Sequence, residues 1–226
     1  MKVSRLLPII AIAVIGLAFG VFTGLQTRHS GSGSSSKGAL EPALVELQDK
    51  LVNTQVFPAD FKRIPAFSLT SADGEPIDES VLAGQWNVMF FGYTHCPDVC
   101  PISLHVMKLA TAELEANGVV APQVVFVTVD PKRDTAERMK EYVGYFNEDF
   151  LGITGDEAAI HELSRELGIV SAVTANEDDP ENYIVDHTAS MLVVDPEGRI
   201  RGKLNSPHEV ENIVKDYTAL TGALGS

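Results

Sequence analysis

The chain contains two cysteines, Cys96 and Cys100, within the run Phe-Gly-Tyr-Thr-His-Cys-Pro-Asp-Val-Cys-Pro. The run follows an apolar segment typical of a buried strand and precedes a segment with helical periodicity. Residues four apart share one face of a helix, so we predict two sulfurs that point the same way, with Cα atoms about 6 Å apart. That separation suits either a shared metal ion or a disulfide. The pair therefore predicts a chemical site at a strand-to-helix turn.

The surrounding pattern predicts the elements that must hold this site. After a small hairpin, apolar runs and helical spacings alternate in the order strand, helix, strand, helix, helix, hairpin, helix. Asp134 and Glu137 are typical of a helix-capping pair, and Pro101 is a favoured first-turn residue. We therefore predict an α/β layered domain whose first strands are parallel and whose last pair is antiparallel.

The first 25 residues are of a different kind. Residues 6–25 carry no charge and are long enough to cross a bilayer as a helix, behind a cytoplasmic stub of residues 1–5. A cleavable signal peptide is the alternative, although no Ala-x-Ala follows the apolar run. Gly16, Gly20 and Gly24 could pair two such helices into a homodimer, or could be ordinary small membrane residues. Residues 26–56 read as a flexible tether and helical lead-in, and residues 57–222 as the domain.

Charge narrows the range of partners. The sequence has 31 acidic and 17 basic residues and a formal net charge of −14. This excess argues against nucleic acid or an anionic lipid surface as a partner. The weak positive bias at residues 1–5 places the N-terminus in the cytoplasm and the domain outside it. In an oxidising compartment a reversible disulfide between the two cysteines becomes plausible.

Three segments together carry a family resemblance. The run at residues 91–101, the segment Val-Asp-Pro-Lys-Arg-Asp-Thr at 129–135, and Val-Asp-His-Thr at 185–188 occur in this order. Together they resemble the Sco/SenC family, and the similarity extends over residues 57–220. The resemblance implies a thioredoxin-like fold, a mixed sheet flanked by helices, behind an N-terminal transmembrane helix. It also implies a membrane-tethered copper protein that helps to assemble the binuclear copper centre of cytochrome c oxidase.

The resemblance also implies a ligand set. Cu(I) prefers thiolate sulfur and accepts imidazole, and the family pattern adds His187 to Cys96 and Cys100 as the third copper ligand. A helix N-terminus would favour the thiolate form of the cysteines. Asp186 could orient the imidazole as a neighbour of the ligand. Asp98 could tune the charge of the site, offer an oxygen to Cu(II), or only satisfy backbone N–H groups in a local turn.

The expected role is a metallochaperone, and not an enzyme with turnover. It would be a single-pass protein of the bacterial inner membrane with its domain on the periplasmic side. It would pass copper, as Cu(I) or Cu(II), to the copper-bearing oxidase subunit, and another copper carrier or a thiol reductase could also be its partner. Cycling of Cys96 and Cys100 between dithiol and disulfide would load or unload the site.

Other interpretations of the cysteines compete with the hypothesis of a copper carrier. A thiol-disulfide reductase could keep the oxidase subunit's cysteines reduced. However, the spacing is Cys-x-x-x-Cys rather than Cys-x-x-Cys, and no proline lies between residues 182 and 195. A peroxidase would need a Pro-x-x-x-Thr-x-x-Cys context, which residues 91–94 do not provide. A purely structural disulfide is the simplest alternative for the cysteines, and an ordinary strand-edge histidine is the simplest one for His187.

Overall fold

The computed structural model describes residues 41–174 and 183–225. In these ranges a mixed sheet of eight strands has the order β1-β10-β9-β4-β5-β6-β2-β3, and β7 and β8 form a separate antiparallel pair. The strands are β1 (Thr54–Val56), β2 (Ser68–Ser71), β3 (Pro76–Asp78), β4 (Asn87–Gly92), β5 (Gln123–Thr128), β6 (Leu151–Thr154), β7 (Ser171–Thr174), β8 (Ile184–His187), β9 (Met191–Val194) and β10 (Ile200–Leu204). The helices are α1 (Pro42–Lys50), α2 (Val99–Ala116), α3 (Ala136–Phe146), α4 (Glu157–Leu167) and α5 (Val210–Leu224), with a 3-10 helix at Glu79–Leu82.

The centre of the sheet consists of β4, β5 and β6, which are parallel. All six residues of β4 are buried, as expected for a strand covered on both faces. Its neighbour β9 is antiparallel to it, and β10 is antiparallel to β9. The predicted parallel first strands and antiparallel last pair are therefore confirmed, as is the small hairpin of β2 and β3.

Two apolar clusters lie on opposite faces of the sheet, because successive strand side chains alternate. Phe90 of β4 belongs to the cluster that α2, α3 and α5 cover, through residues such as Leu104, Met139 and Ile213. Met89 and Phe91 belong to the other cluster, which includes apolar residues of α4. The carboxyl end of β4, which leads into the cysteine run, is thus fixed between two packed layers.

Residues 41–56, the described part of the predicted lead-in, pack on the domain instead of standing apart from it. The strand β1 pairs with β10, and the carboxylate of Asp216 on α5 accepts hydrogen bonds from the backbone N–H groups of Val52 and Asn53. The predicted anchor at residues 6–25 lies outside the described residues. Within the ranges that the structure describes, no helix is both long and apolar enough to span a membrane.

Candidate metal and thiol site

The two cysteines lie on the connection from β4 to α2. The helix begins at Val99, so Cys100 is on its first turn and Cys96 is in the preceding loop, where its N–H donates to the carbonyl of Tyr93. The prediction that both cysteines share a helix face was therefore wrong. The reason is Pro97, because a residue that precedes proline is disfavoured in the helical conformation. The loop nevertheless turns Cys96 back towards Cys100.

The third predicted residue, His187, reaches the site from the end of β8. The two sulfurs and one ring nitrogen of His187 all lie within 4.8 Å of one another, and Nε2 is 3.3 Å from the sulfur of Cys100. The other nitrogen, Nδ1, is 3.1 Å from the carbonyl oxygen of Thr188. A carbonyl can only accept, so Nδ1 carries a proton that it donates to Thr188, and Nε2 is the ring atom directed at the sulfurs. Nε2 is therefore the ring nitrogen that can bind a metal between them.

The two thiols have opposite electrostatic surroundings. The thiol of Cys100 donates to the sulfur of Cys96, and this contact is the largest cause that lowers the pKa of Cys96 to about 3. Contacts with His187 and with the backbone N–H groups of Asp98 and Cys100 lower it further, against the opposing effect of burial. The same contact and burial raise the pKa of Cys100. In the metal-free protein, Cys96 is therefore the thiolate and Cys100 keeps its proton.

Aromatic rings and a glycine form the walls of the site. The ring of His187 makes edge contacts with Phe90 and Tyr93, at centroid separations of 6.1 and 5.9 Å. A Cβ atom on Gly92 would lie 2.7 Å from the sulfur of Cys100 and 2.7 Å from a ring atom of Phe126. Contacts this short do not occur between real atoms, so only glycine at position 92 leaves room for the sulfur.

A second cluster fastens the hairpin that carries His187. The hydroxyl of Tyr183 donates to Asp130 at 2.7 Å, and Asp130 also accepts from the guanidinium of Arg133. That guanidinium lies over the ring of Tyr183, 3.6 Å from its centroid. The backbone N–H of Val185 donates to the hydroxyl of Tyr93. These contacts tie β8 to the ends of β4 and β5.

Asp134 does not cap a helix as the sequence predicted. The N-cap of α3 is Thr135, whose hydroxyl accepts from the N–H of Arg138. The carboxylate of Asp134 is instead fully buried and accepts from the N–H and hydroxyl of Thr94 and from the hydroxyl of Thr128. These donors belong to other parts of the fold, so the local spacing of Asp134 and Glu137 could not reveal them.

The two acidic neighbours of the predicted ligands have different surroundings from those expected. Asp186 accepts a hydrogen bond from the hydroxyl of Thr174, and the Nδ1 position of His187 faces the carbonyl of Thr188, so the structure does not bring Asp186 to the ring. Neighbouring strand residues point to opposite faces, which explains this. Asp98 occupies the N-cap of α2, but its side chain makes no capping hydrogen bond.

The remaining described histidines lie outside the cluster of sulfurs and imidazole. His105 and His161 are exposed. His95 is 3.1 Å from the hydroxyl of Thr94 through its Nδ1 atom. His208 is buried, which the sequence did not indicate, and its Nδ1 atom is 2.9 Å from the hydroxyl of Ser103 on α2.

The amino-acid sequence is similar to those of known proteins. The SCO1/SenC family model matches residues 58–222. A relative from Stutzerimonas stutzeri is 33% identical over 161 residues, covering 71% of this chain and 78% of that protein. The mitochondrial SCO1 homolog 1 of Arabidopsis thaliana is 35% identical over 147 residues, which are 65% of this chain but only 43% of that protein.

A solved structure shows the same fold. The crystal structure of Arabidopsis thaliana ScoI with copper bound superposes with a TM-score of 0.68 at 32% identity, covering 71% of this chain and 99% of that chain. The observed mixed sheet with flanking helices is thus the thioredoxin-like arrangement that the sequence predicted. On the family match, the fold and the position of the cysteine run, the chain belongs to the SCO1/SenC family.

Proposed function

We propose that Cys96, Cys100 and His187 bind a copper ion, which the protein carries to another protein. The observation that supports this most is the clustering of two sulfurs and one imidazole nitrogen within 4.8 Å. This donor set suits a soft or borderline ion such as Cu(I). The related Arabidopsis structure was solved with copper bound, which favours copper over zinc as the ion.

The acceptor that fits the family is the copper-bearing subunit of cytochrome c oxidase. In this proposal, residues 6–25 anchor the chain in the bacterial inner membrane and the domain acts on the periplasmic side. Copper leaves by ligand exchange with thiols or imidazoles of the acceptor. Exchange with a partner disulfide would oxidise the Cys96 thiolate and the Cys100 thiol to a disulfide, pass two electrons and the proton of Cys100 to the partner, which leaves as one thiolate and one thiol, and remove both sulfur ligands. The redox state of the pair therefore controls whether the site can bind copper.

The test is copper stoichiometry in the full-length protein. The reduced protein should bind one copper ion and the disulfide form none. His187→Ala should weaken binding by at least about 100-fold, because losing a ligand costs more than losing a neighbour of a ligand, which costs 10–100-fold. His105→Ala is the matched control on α2 and should bind as the parent does. Equal affinity of His187→Ala and the parent would contradict the three-ligand site.

A thiol-disulfide reductase is the second candidate, favoured by the asymmetry of the two thiols. Cys96 is half-buried with a lowered pKa, whereas Cys100 is buried with a raised one. Cys96 as thiolate would attack a partner disulfide and form a mixed disulfide, with release of one partner thiolate. Cys100 would then lose its proton, attack Cys96 and release the second partner thiolate.

Substitutions separate the two candidates. A reductase should keep its rate towards an oxidised peptide in His187→Ala and lose it in Cys96→Ser. Cys100→Ser should accumulate the mixed disulfide. If the parent reduces no peptide while it binds one copper ion, the reductase role is excluded and the carrier role stands.

A further inference from the structure

Among the buried carboxylates of the described residues, Asp134 and Asp216 each accept hydrogen bonds from backbone N–H and threonine hydroxyl groups, at different places in the fold. Asp134 accepts from the N–H of Thr94 at 3.0 Å, from its hydroxyl at 2.7 Å, and from the hydroxyl of Thr128 at 2.6 Å. Asp216 accepts from two backbone N–H groups at 2.7 and 2.8 Å and from the hydroxyl of Thr54 at 2.8 Å. Only the first of them holds the loop that leads to the cysteines.

We propose that Asp134 is the positioning residue of the thiol pair and that it acts through Thr94. Its carboxylate binds both the N–H and the hydroxyl of Thr94, which restricts the backbone and side-chain angles of that residue. Cys96 follows two residues later. This inference concerns the same site as the proposed function and rests on it for the identity of the metal, but not for the geometry of the thiols.

The position of Asp134 in the fold makes it a firm support. Thr128 ends β5, and the backbone carbonyl of Asp134 accepts from the hydroxyl of Thr154 at the end of β6. Thr94 follows the end of β4. Asp134 thus connects the carboxyl ends of the three parallel strands. A buried carboxylate without its donors carries a large desolvation cost, so the donors are held in place together with it.

Two basic side chains lie beside the contact between Asp134 and Thr94. The Nδ1 atom of His95 lies 3.6 Å from the carboxylate of Asp134, and the guanidinium of Arg138 donates to the hydroxyl of Thr94 at 3.3 Å. The hydroxyl of Thr94 therefore accepts from Arg138 while it donates to Asp134. This arrangement directs the hydroxyl hydrogen towards the carboxylate of Asp134.

The experiment compares two matched pairs of variants in the full chain. Thr94→Val and Thr54→Val each remove one hydroxyl donor from one buried carboxylate. Asp134→Asn and Asp216→Asn each replace the carboxylate itself. Three quantities are measured: the urea midpoint of unfolding, the rate at which Cys96 of the metal-free protein reacts with iodoacetamide, and the affinity for Cu(I). The thiolate-to-copper absorption band of the Cu(II) form is recorded as well.

If Asp134 positions the thiol pair, the variants at Thr94 and Asp134 should differ from those at Thr54 and Asp216 in the properties of the cysteines. Both threonine variants should lower the urea midpoint by similar amounts, but only Thr94→Val should change the alkylation rate, by at least about threefold, and weaken copper binding about tenfold. Its absorption band should shift, and Thr94→Ser, which restores the hydroxyl, should return all three quantities to those of the parent. Asp134→Asn should exceed Thr94→Val in each, and if it does not fold, the threonine pair alone decides.

Two results would overturn the proposal. One is equal effects of Thr94→Val and Thr54→Val on the alkylation rate, which would make Asp134 a purely structural group. The other is a normal alkylation rate and absorption band in folded Asp134→Asn. The alkylation rate needs no metal, so it tests Asp134 even if the parent binds no copper and the proposed function fails.

Discussion

The two thiols and the imidazole reach the site from regions with very different support. The cysteines follow β4, in which every residue is buried between two packed layers, and Cys100 is itself fully buried. His187 ends a two-stranded hairpin outside the main sheet, and three of the four residues of β7 in that hairpin are exposed. The thiol side is therefore fixed by the core, whereas the imidazole side depends on one buried core residue of β8, Val185, and on a few polar and aromatic contacts.

Because of this difference, the support of His187 can be changed without an effect on the cysteines, but not the reverse. Contacts that hold the hairpin, such as Tyr183 with Asp130 and Arg133, lie away from the two sulfurs. Substitutions there should change the position of the imidazole of His187 and leave the chemistry of the two thiols as it is. Changes at the end of β4 should instead disturb the sulfurs and the stability of the core together.

The largest expected effect is on the pH dependence of thiol reactivity. The rate of an ordinary thiol, with a pKa near 8.5, falls about 1000-fold from pH 8 to pH 5, because only the thiolate reacts. The pKa of Cys96 is lowered to about 3, so its thiolate persists as the pH falls, and its alkylation rate should change less than about twofold over this range. Mass spectrometry of iodoacetamide-treated metal-free protein measures this rate.

The matched comparison for this prediction is Cys100, whose pKa is raised. In the parent it should remain unmodified at pH 5 while Cys96 is labelled. A tenfold loss of the Cys96 rate for each pH unit below 8 would show that the hydrogen bond from Cys100 does not stabilise the thiolate.

The next largest effect concerns the thiol side of the comparison. Gly92→Ala places a Cβ atom where the sulfur of Cys100 and the ring of Phe126 lie, so one of them must move. We expect a loss of about 1–3 kcal/mol in the free energy of unfolding, the usual cost of overpacking, and at least tenfold weaker copper binding. Urea unfolding and a Cu(I) competition titration measure the two quantities.

Gly144→Ala is the control for this change. Gly144 lies in α3, and an added Cβ there meets nothing within 4 Å. The substitution should stabilise the protein by about 0.5–1 kcal/mol through helix propensity and leave copper binding unchanged. A Gly92→Ala protein with parental stability and affinity would show that the space at Gly92 is not needed by the sulfur.

The smallest effect is expected on the imidazole side. Tyr183→Phe removes the hydrogen bond to Asp130 but keeps the ring under Arg133. Copper affinity should fall about tenfold, and the free energy of unfolding should change by less than about 1.5 kcal/mol. Tyr145→Phe, at a side chain that is 81% exposed, is the control. A parental affinity for Tyr183→Phe would mean that the hairpin does not need this contact.

Local patterns in the sequence predicted much of the fold but not the tertiary contacts that hold the site in place. The apolar run before Cys96 was sufficient to predict β4, and the spacing of apolar residues was sufficient to predict α4. The strands β1, β6, β7 and β8, each of three or four residues, were not predicted. β7 and β8 also leave most of their side chains exposed or only partly buried, so they lack a clear apolar pattern. Asp134 was interpreted as a cap because Glu137 follows it three residues later, and only tertiary contacts distinguish such a cap from a buried carboxylate that holds a loop.

In the candidate site, too, local patterns predicted some features and missed those that depend on tertiary contacts. The closeness of Cys96 and Cys100 follows from their spacing, although Pro97 keeps Cys96 out of the helix. Nothing local connects His187 with them, so only the family resemblance could supply it. The role of Gly92 as open space for a sulfur was not visible in the sequence, because it depends on the position of Phe126 on the neighbouring strand.

The most direct test of the central claim is X-ray absorption at the copper edge of the Cu(I)-loaded, full-length protein. The account predicts two sulfur neighbours and one imidazole nitrogen in the parent, and loss of the nitrogen alone in His187→Ala. A copper ion with the same neighbours in the parent and in His187→Ala would contradict it, because the imidazole on β8 would then not be a ligand.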